Sequence, residues 1–440
     1  MNTHTNTHAS QRSWIWQKKH QYYGLVTKKQ RASLPQPRHD RPCRHDVPNV
    51  CSAPCAFIRG AANRFCRELH ANGRLANNLG TLLPVLDKMW TVRLHGVPER
   101  VTQRVVAING KLYSFRSSLA TRNHNLQNRV DVFIFDTASY RWHTVQTQLP
   151  DGEKTDISRH TVAAYGHCAY LWGGRCISAR SHVYRFDTNT LTWSRPQVFG
   201  EQPPSLYGNT ACAVGNRKYI LGTSNGWIDM WFLDLDTMEW HRVPTSGQAP
   251  ARRFFHTASA IGTRIYVWGG VLENHSLGGR VCDNSLYYLE TTTSTWVRPR
   301  VQGTPPVGRI GHAAFVYKEE LYIFGGSTLQ QGPFFADMHK YEPETSCWTE
   351  VRPFGSGPSA RCFPGCATTG ERVFVFGGCG LILNQENGEE TGWLTNLHVL
   401  HLAPTLENLC LLAAIDARLD VSNLPTIIRK KISDITSHQP

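Results

Sequence analysis

Apolar and polar residues alternate through most of this chain in short runs, and the runs recur in groups. The clearest group begins at His256-Thr-Ala-Ser-Ala-Ile261, turns at Gly262-Thr263, alternates again from Arg264 to Trp268 and stops at Gly269-Gly270. After a variable insert, Ser285-Leu-Tyr-Tyr-Leu-Glu290 and Thr295-Trp296-Val297 complete it. Period-two alternation bounded by turn residues predicts four short antiparallel strands. Near-copies of the second strand are Tyr170-Leu-Trp-Gly173-Gly174, Tyr219-Ile-Leu-Gly222-Thr223, Tyr322-Ile-Phe-Gly325-Gly326 and Phe374-Val-Phe-Gly377-Gly378, with a degenerate Tyr113-Ser-Phe-Arg116-Ser117. The corresponding positions 116, 173, 222, 269, 325 and 377 are separated by 57, 49, 47, 56 and 52 residues. A unit of that length cannot bury its apolar face alone, so the copies must pack on one another.

Four strands per repeat and six repeats predict an all-β, six-bladed β-propeller over residues 89–403. A diglycine suits the crowded end of an inner strand, where only a residue without Cβ allows close backbone approach and positive φ. Trp142, Trp193, Trp240, Trp296 and Trp348 mark the fourth strand of five repeats. The sixth, ending at Asn396-Leu-His-Val-Leu-His-Leu402, runs into Ala403-Pro404 and has no tryptophan strand of its own. Met89-Trp90-Thr-Val-Arg-Leu94 has the form of the missing strand. It would close the ring by pairing with the last repeat, removing the exposed edge that a linear array leaves.

The net charge of +14 invites a nucleic-acid reading, but residues 1–88 hold 14 lysines and arginines against 4 acidic residues. That leaves +4 for the rest, so no nucleic acid is expected on the folded domain. Residues 1–88 lack sustained periodicity and read as a basic, disordered extension. Its alternatives are a nucleic-acid tail, a zinc site from Cys43, Cys51, Cys55 and Cys66 with His39 or His45, and an artefact of the gene model upstream of Met89. The zinc spacings match no common ligand pattern. No run is apolar enough for a membrane span or a secretory signal, so no membrane is expected. Thirteen cysteines, an odd and scattered set, point to a reducing compartment.

The segments leading into the first strands carry Arg100, Arg159-His160, Tyr207, Arg252-Arg253, Arg309 and Arg361. They share one face with the inserts 271–284, 327–336 and 379–395. Guanidinium groups there suit a carboxylate or phosphate, which they bind bidentately. The plain structural reading is that each arginine hydrogen-bonds neighbouring loop carbonyls. Arg252-Arg253 stands out, because two adjacent guanidiniums repel unless an anion is near and Phe254-Phe255 could wall an apolar slot. His160, His256 and His312 recur at one repeat position and read as buried structural residues.

Beyond Pro404, Leu406, Leu409, Cys410, Ala413 and Ala417 fall on one helical face with Thr405 as N-cap. Pro425 opens a second helix through Ile427, Ile428, Ile432 and Ile435. Residues 404–435 would pack under the ring or present an apolar stripe to a partner.

Thr405-Leu406-x-x-x-Cys410-x-x-x-Ala414 resembles the box that binds elongin C, and Leu424-Pro425-x-x-Ile428 resembles the short cullin-2 box that follows it. With six kelch-like repeats and Trp90-Thr-Val opening the ring, residues 89 to 435 resemble the kelch-repeat substrate receptors of cullin-2 RING ubiquitin ligases. The resemblance implies a substrate-recognition subunit that binds C-terminal degrons ending in glycine and directs their owners to ubiquitination and proteasomal degradation. Its partners would be elongin B/C, cullin-2 with its RING subunit, and substrate C-termini, in cytoplasm and nucleus. It would have no cofactor, metal or catalytic residue.

In that family an arginine of an Arg-x-x-His segment holds the terminal carboxylate, and Arg253-Phe-Phe-His256 occupies that place. Arg252 or Arg309 would assist, with Tyr207, Phe254, Arg159 and Arg361 as pocket wall. Gln103 and Asn209 stand where the repeat histidine is expected, and Gly222-Thr223 breaks the third diglycine. The rival class is a non-degradative kelch scaffold binding a cytoskeletal or chromatin protein. A copper oxidase, also built on such repeats, needs converging Tyr and His ligands that this chain does not offer.

Overall fold

The computed structural model describes residues 89–94, 97–98, 104–117, 129–150, 156–175, 182–204, 207–224, 227–274, 279–328, 332–384 and 388–404, together with Thr426 and Arg429. The expected extension 1–88 and all but two residues beyond 404 lie outside them. The fold is all-β, a succession of small antiparallel sheets. The first sheet comprises Val105–Ile108, Lys111–Ser117, Arg129–Asp136 and Arg141–Gln148, and the second Asp156–Tyr165, Cys168–Arg175, Val183–Asp187 and Thr192–Ser194. The third comprises Tyr207–Val214, Arg217–Ser224, Trp227–Asp234 and Glu239–Arg242, and the fourth Thr257–Ile261, Arg264–Trp268, Leu286–Glu290 and Thr295–Val297. Ala313–Tyr317, Glu320–Phe324, Met338–Glu342 and Cys347–Val351 make the fifth.

In the sixth sheet, Gly365–Thr369, Arg372–Phe376 and Leu397–His401 are joined by Met89–Leu94. That strand pairs antiparallel with Leu397–His401, placing Met89 opposite His401 and Leu94 opposite Leu397. The two ends of the repeat region therefore share one sheet. The first strand of each sheet lies against that of the next, and Gly365–Thr369 lies against Val105–Ile108.

The apolar residues of the second strands are buried, as at Ile265, Tyr266, Val267 and Trp268, because both faces of each sheet are covered by neighbours. Aromatic rings carry those contacts. Trp193 of the second sheet meets Phe115 of the first at 5.4 Å between centroids, and Trp240 of the third meets Trp172 of the second at 5.6 Å. Trp348 of the fifth meets Trp268 of the fourth at 5.8 Å, and Trp90 of the sixth meets Phe324 of the fifth, also at 5.8 Å. Trp142 of the first sheet meets Phe376 of the sixth at 5.5 Å, and between the third and fourth sheets Trp296 instead packs in one cluster with Leu221 and Met230. Each such contact removes large apolar area from water, and those of Trp193, Trp240 and Trp142 add edge-to-face attraction.

A device absent from the sequence reading is a short fifth strand in three sheets. Phe199–Gly200, Ser246–Gly247 and Gln302–Gly303 each pair in parallel with the tryptophan strand of the sheet that follows. Their glycines have positive φ, and a Cβ on Gly200, Gly247 or Gly303 would collide with the carbonyl oxygen of Trp240, Trp296 or Trp348. Gly355 holds the same relation to Trp90. Trp90 therefore occupies the tryptophan position of the sixth repeat, although it lies at the other end of the sequence.

The inserts 271–284 and 379–395, read from sequence as loops, contain ribbons. Val271–Asn274 and Gly279–Cys282 form a hairpin that pairs with Arg253–Phe254, and Cys379–Asn384 and Gly388–Trp393 form one that pairs with Arg361–Cys362. The segment leading into the first strand supplies the third member, an interaction too distant in sequence to be read locally.

Candidate functional site

The site is built on the segments that lead into the first strands of the fourth, fifth and sixth sheets: Arg253-Phe-Phe-His256, Arg309-Ile-Gly-His312 and Arg361-Cys-Phe-Pro364. The three arginines are buried and make the same bonds. Their Nε groups donate to the carbonyl two residues earlier, at Ala251 (3.2 Å), Val307 (2.9 Å) and Ser359 (2.9 Å). Their Nη1 groups donate to the carbonyl sixteen residues later, at Gly269 (3.1 Å), Gly325 (3.0 Å) and Gly377 (3.0 Å). Each guanidinium thus satisfies carbonyls left over where a second strand ends in its diglycine. Arg253, Arg309 and Arg361 accordingly sit within the wall, where the sequence reading had guanidiniums ringing a channel.

The third partner differs among them. Asp337 takes Arg309 bidentately, at 2.5 and 2.9 Å. Burial alone would raise the Asp337 carboxyl, but hydrogen bonds from His339 and Arg309 outweigh it and hold the group well below the usual carboxylate range. Asn396 Oδ1 accepts from Arg361 at 2.9 Å. Asp283 Oδ2 stands 3.0 Å from Arg253 Nη1 but is not aligned for a hydrogen bond. Desolvation lowers the pKa of Arg253, while Asp283 and Tyr287 pull it back up. Of the two arginines that face a carboxylate, Arg253 has the less well-aligned partner.

Arg252 is half-buried and lies over the Phe254 ring at 5.1 Å. Next to it Phe255 is 42% exposed and has φ of 59°. Phe363 has φ of 53°, and its ring meets that of Phe255 at 5.5 Å. Between them Gly311 has φ of 62°, accepts the Phe363 N–H at 2.6 Å, and leaves no room for a side chain, since a Cβ would be 2.8 Å from the Phe363 ring. Bulky residues seldom occupy the left-handed region, and such strain gathers at functional sites. The rim is therefore a guanidinium beside two strained aromatics.

Arg104, just before the first strand of the first sheet, was not among the arginines singled out from sequence. Its Nη2 donates to the Asn209 carbonyl at 3.0 Å, linking the first sheet to the third. Burial lowers its pKa to about 10. Its charge also helps lower His256 and Lys218. Its adjacency to Val105–Ile108 is the signal in the sequence that marks it. Lys218, fully buried, donates to the carbonyls of Thr161 (3.1 Å) and Tyr170 (2.9 Å) and ties the second and third sheets together.

Arg159 lies in Asp156–Tyr165 and Tyr207 opens Tyr207–Val214, which places both on strands leading from this face; their side chains are outside the description. Thr405, Leu406, Cys410, Ala414, Leu424, Pro425 and Ile428, and the N-terminal cysteines, also lie outside the described residues. Thr426 and Arg429 are helical, with Arg429 Nη2 donating to Thr426 Oγ1 at 3.2 Å. Among the described residues, no helix is long and apolar enough to cross a membrane. One group there could offer three metal ligands, His167, Cys168 and Asp187, but Arg185 Nε already donates to the Cys168 sulfur at 3.2 Å.

Repeated four-stranded sheets, diglycine ends and an arginine-histidine rim define a kelch-repeat protein. The chain belongs to this family: residues 159–402 match the KLHDC2/KLHL20/DRC7 Kelch-repeats domain. It is 34% identical to Kelch domain-containing protein 3 of Rattus norvegicus over 372 residues, covering 79% of this chain and 96% of that protein. The Homo sapiens protein of the same name is 33% identical over the same shares. Acyl-CoA-binding domain-containing protein 4 of Arabidopsis thaliana is 28% identical over 63% of this chain and 35% of that protein. The solved structure of YjhT aligns over 70% of this chain and 96% of its own with a TM-score of 0.48 and 13% identity. Kelch-repeat chains typically act as non-catalytic protein-interaction scaffolds.

Proposed function

We propose that this protein is the substrate receptor of a cullin-2 RING ubiquitin ligase, a six-bladed kelch propeller closed by Met89–Leu94 that reads protein C-termini ending in glycine. Residues 404–435 would dock elongin C through Thr405, Leu406, Cys410 and Ala414, and cullin-2 through Leu424, Pro425 and Ile428. Membership of the kelch-repeat family and similarity to Kelch domain-containing protein 3 over 96% of its length support the reading. The observation that carries it is the rim at Arg252 to Phe255. A terminal carboxylate would pair with the half-buried Arg252, whose guanidinium lies over Phe254, while the buried charge of Arg253 beneath it, with its misaligned Asp283 partner, adds to the attraction. Arg309, gripped by Asp337, has less to offer.

The test is to titrate a glycine-ending peptide, its C-terminal amide, and the same peptide extended by one aspartate. Arg252→Ala is the informative variant, because Arg253→Ala also removes bonds to Ala251 and Gly269. Losing one guanidinium from a desolvated pair costs about 2–5 kcal/mol, roughly 30-fold to several thousand-fold in affinity. If the amide binds as tightly as the acid, the site is wrong. Separately, Leu406→Ser should abolish recovery of elongin C. If recovery persists, the box is wrong; if the wild type recovers no elongin but still binds peptide, the chain is a non-degradative scaffold.

A further inference from the structure

The ribbon formed by Cys379–Asn384 and Gly388–Trp393 is attached to the rim by a ladder of only two residue pairs, Arg361 with Gly380 and Cys362 with Cys379. The second pair places two thiols face to face, with Sγ atoms 2.9 Å apart. Directly opposed residues of antiparallel strands have Cα atoms about 4.5–5.5 Å apart, inside the range a disulfide bridges without backbone movement. Both cysteines are free thiols.

We propose that Cys362 and Cys379 are a thiol–disulfide modification site, oxidised by a disulfide of the glutathione class, which locks the ribbon to the rim. This inference does not depend on the ligase reading.

The two thiols differ in the way such an exchange requires. Cys362 is 4% exposed and Cys379 is half-buried, so an external disulfide reaches Cys379 first. The two sulfurs share one S–H···S hydrogen bond, in which either can donate, and burial raises the pKa of the more enclosed Cys362. Being the more accessible of the two, Cys379 is the attacking thiolate. It bonds to one sulfur of glutathione disulfide and expels one glutathione thiolate. Cys362 then loses its proton, attacks Cys379 Sγ, and expels the second glutathione. The protein gives up two protons and two electrons, and glutathione disulfide becomes two glutathione molecules.

The bridge would act on the rim already described. Cys362 lies between buried Arg361 and strained Phe363, and Cys379 follows Gly377-Gly378. The ribbon carries Leu381 and Trp393, 53% and 68% exposed, so oxidation would fix an apolar arm beside the aromatic pair. In a thiol-rich setting such a bond would be transient, as regulatory disulfides are.

The test treats the full chain with glutathione disulfide, labels remaining thiols with a maleimide, and maps them by peptide mass spectrometry. Expected is loss of label at Cys362 and Cys379 together, a mass lower by two hydrogens, and full recovery with dithiothreitol. Cys362→Ser should accumulate a glutathione adduct on Cys379, whereas Cys379→Ser should leave the buried Cys362 unmodified. Retention of both labels in the wild type, or a bridge mapping to other cysteines, would overturn the proposal. The wild-type mapping decides it even if a variant does not fold.

Discussion

Phe255 and Phe363 meet at 5.5 Å between ring centroids across a rim that spans three successive sheets, and both have left-handed backbones, at φ of 59° and 53°. A residue with a Cβ pays about 1–2 kcal/mol for that conformation. Phe255→Gly relieves the strain and Phe255→Ala retains it, so the glycine variant should be the more stable by about 1 kcal/mol. The usual order of the two residues would be reversed, which thermal unfolding of the two variants would reveal. An alanine variant that melts higher would show that the backbone is not held there.

Asp337 should matter more to stability than its position on a loop suggests. Its carboxylate holds both terminal nitrogens of buried Arg309, and breaking a buried pair costs about 3–5 kcal/mol. Because the Asp337 side chain is 30% exposed, about 3 kcal/mol is expected for Asp337→Ala. The folded carboxyl titrates below its unfolded value of about 3.9, so this contribution is complete above that pH and is lost on further acidification. Urea midpoints of the variant and wild type at pH 7 would test it; equal midpoints would remove Asp337 from the account.

A second acid sensitivity begins nearer neutrality. Burial, then the charge of a neighbouring arginine, lowers His256 and His312 to about 3 and His401 to about 4. In the unfolded chain these groups take up protons near pH 6.5, so acidification favours unfolding. Stability should be flat above pH 7 and decline from about 6.5 towards 3, by up to about 1.4 kcal/mol per pH unit for each fully buried histidine. His312→Asn, which copies the residue that the third repeat has at Asn209, should make the decline shallower. An unchanged slope would mean that His312 does not titrate on unfolding.

Trp90 joins the start of the repeat region to the fifth and sixth sheets, with its backbone N–H donating to the Phe354 carbonyl at 2.8 Å and its ring against Phe324. Trp90→Ala should cost about 3–5 kcal/mol. A chain starting at residue 97 would leave Leu397–His401 as an unpaired edge and should aggregate, whereas one starting at residue 89 should melt like the full chain. Light scattering during thermal melts separates these outcomes, and a soluble, cooperatively melting 97–440 chain would contradict them.

The strands were legible in the sequence because each repeat carries its own alternation, turn and diglycine, and local patterns suffice to read such signals. Trp90 could be matched to Leu397–His401 because one repeat lacked a tryptophan strand and one strand lacked a repeat. The roles of the arginines were not legible. Arg253, Arg309 and Arg361 look alike in sequence, but what each guanidinium does depends on a glycine carbonyl sixteen residues later and on whether Asp283, Asp337 or Asn396 lies within reach. Arg104 becomes notable only when its bond to Asn209 is seen. Cys362 and Cys379 were two among scattered cysteines until the ribbon's register set them opposite each other. The sequence alone determined the elements, whose pattern is periodic and local; the tertiary structure decided which polar groups meet, since that depends on register between segments that no local pattern encodes.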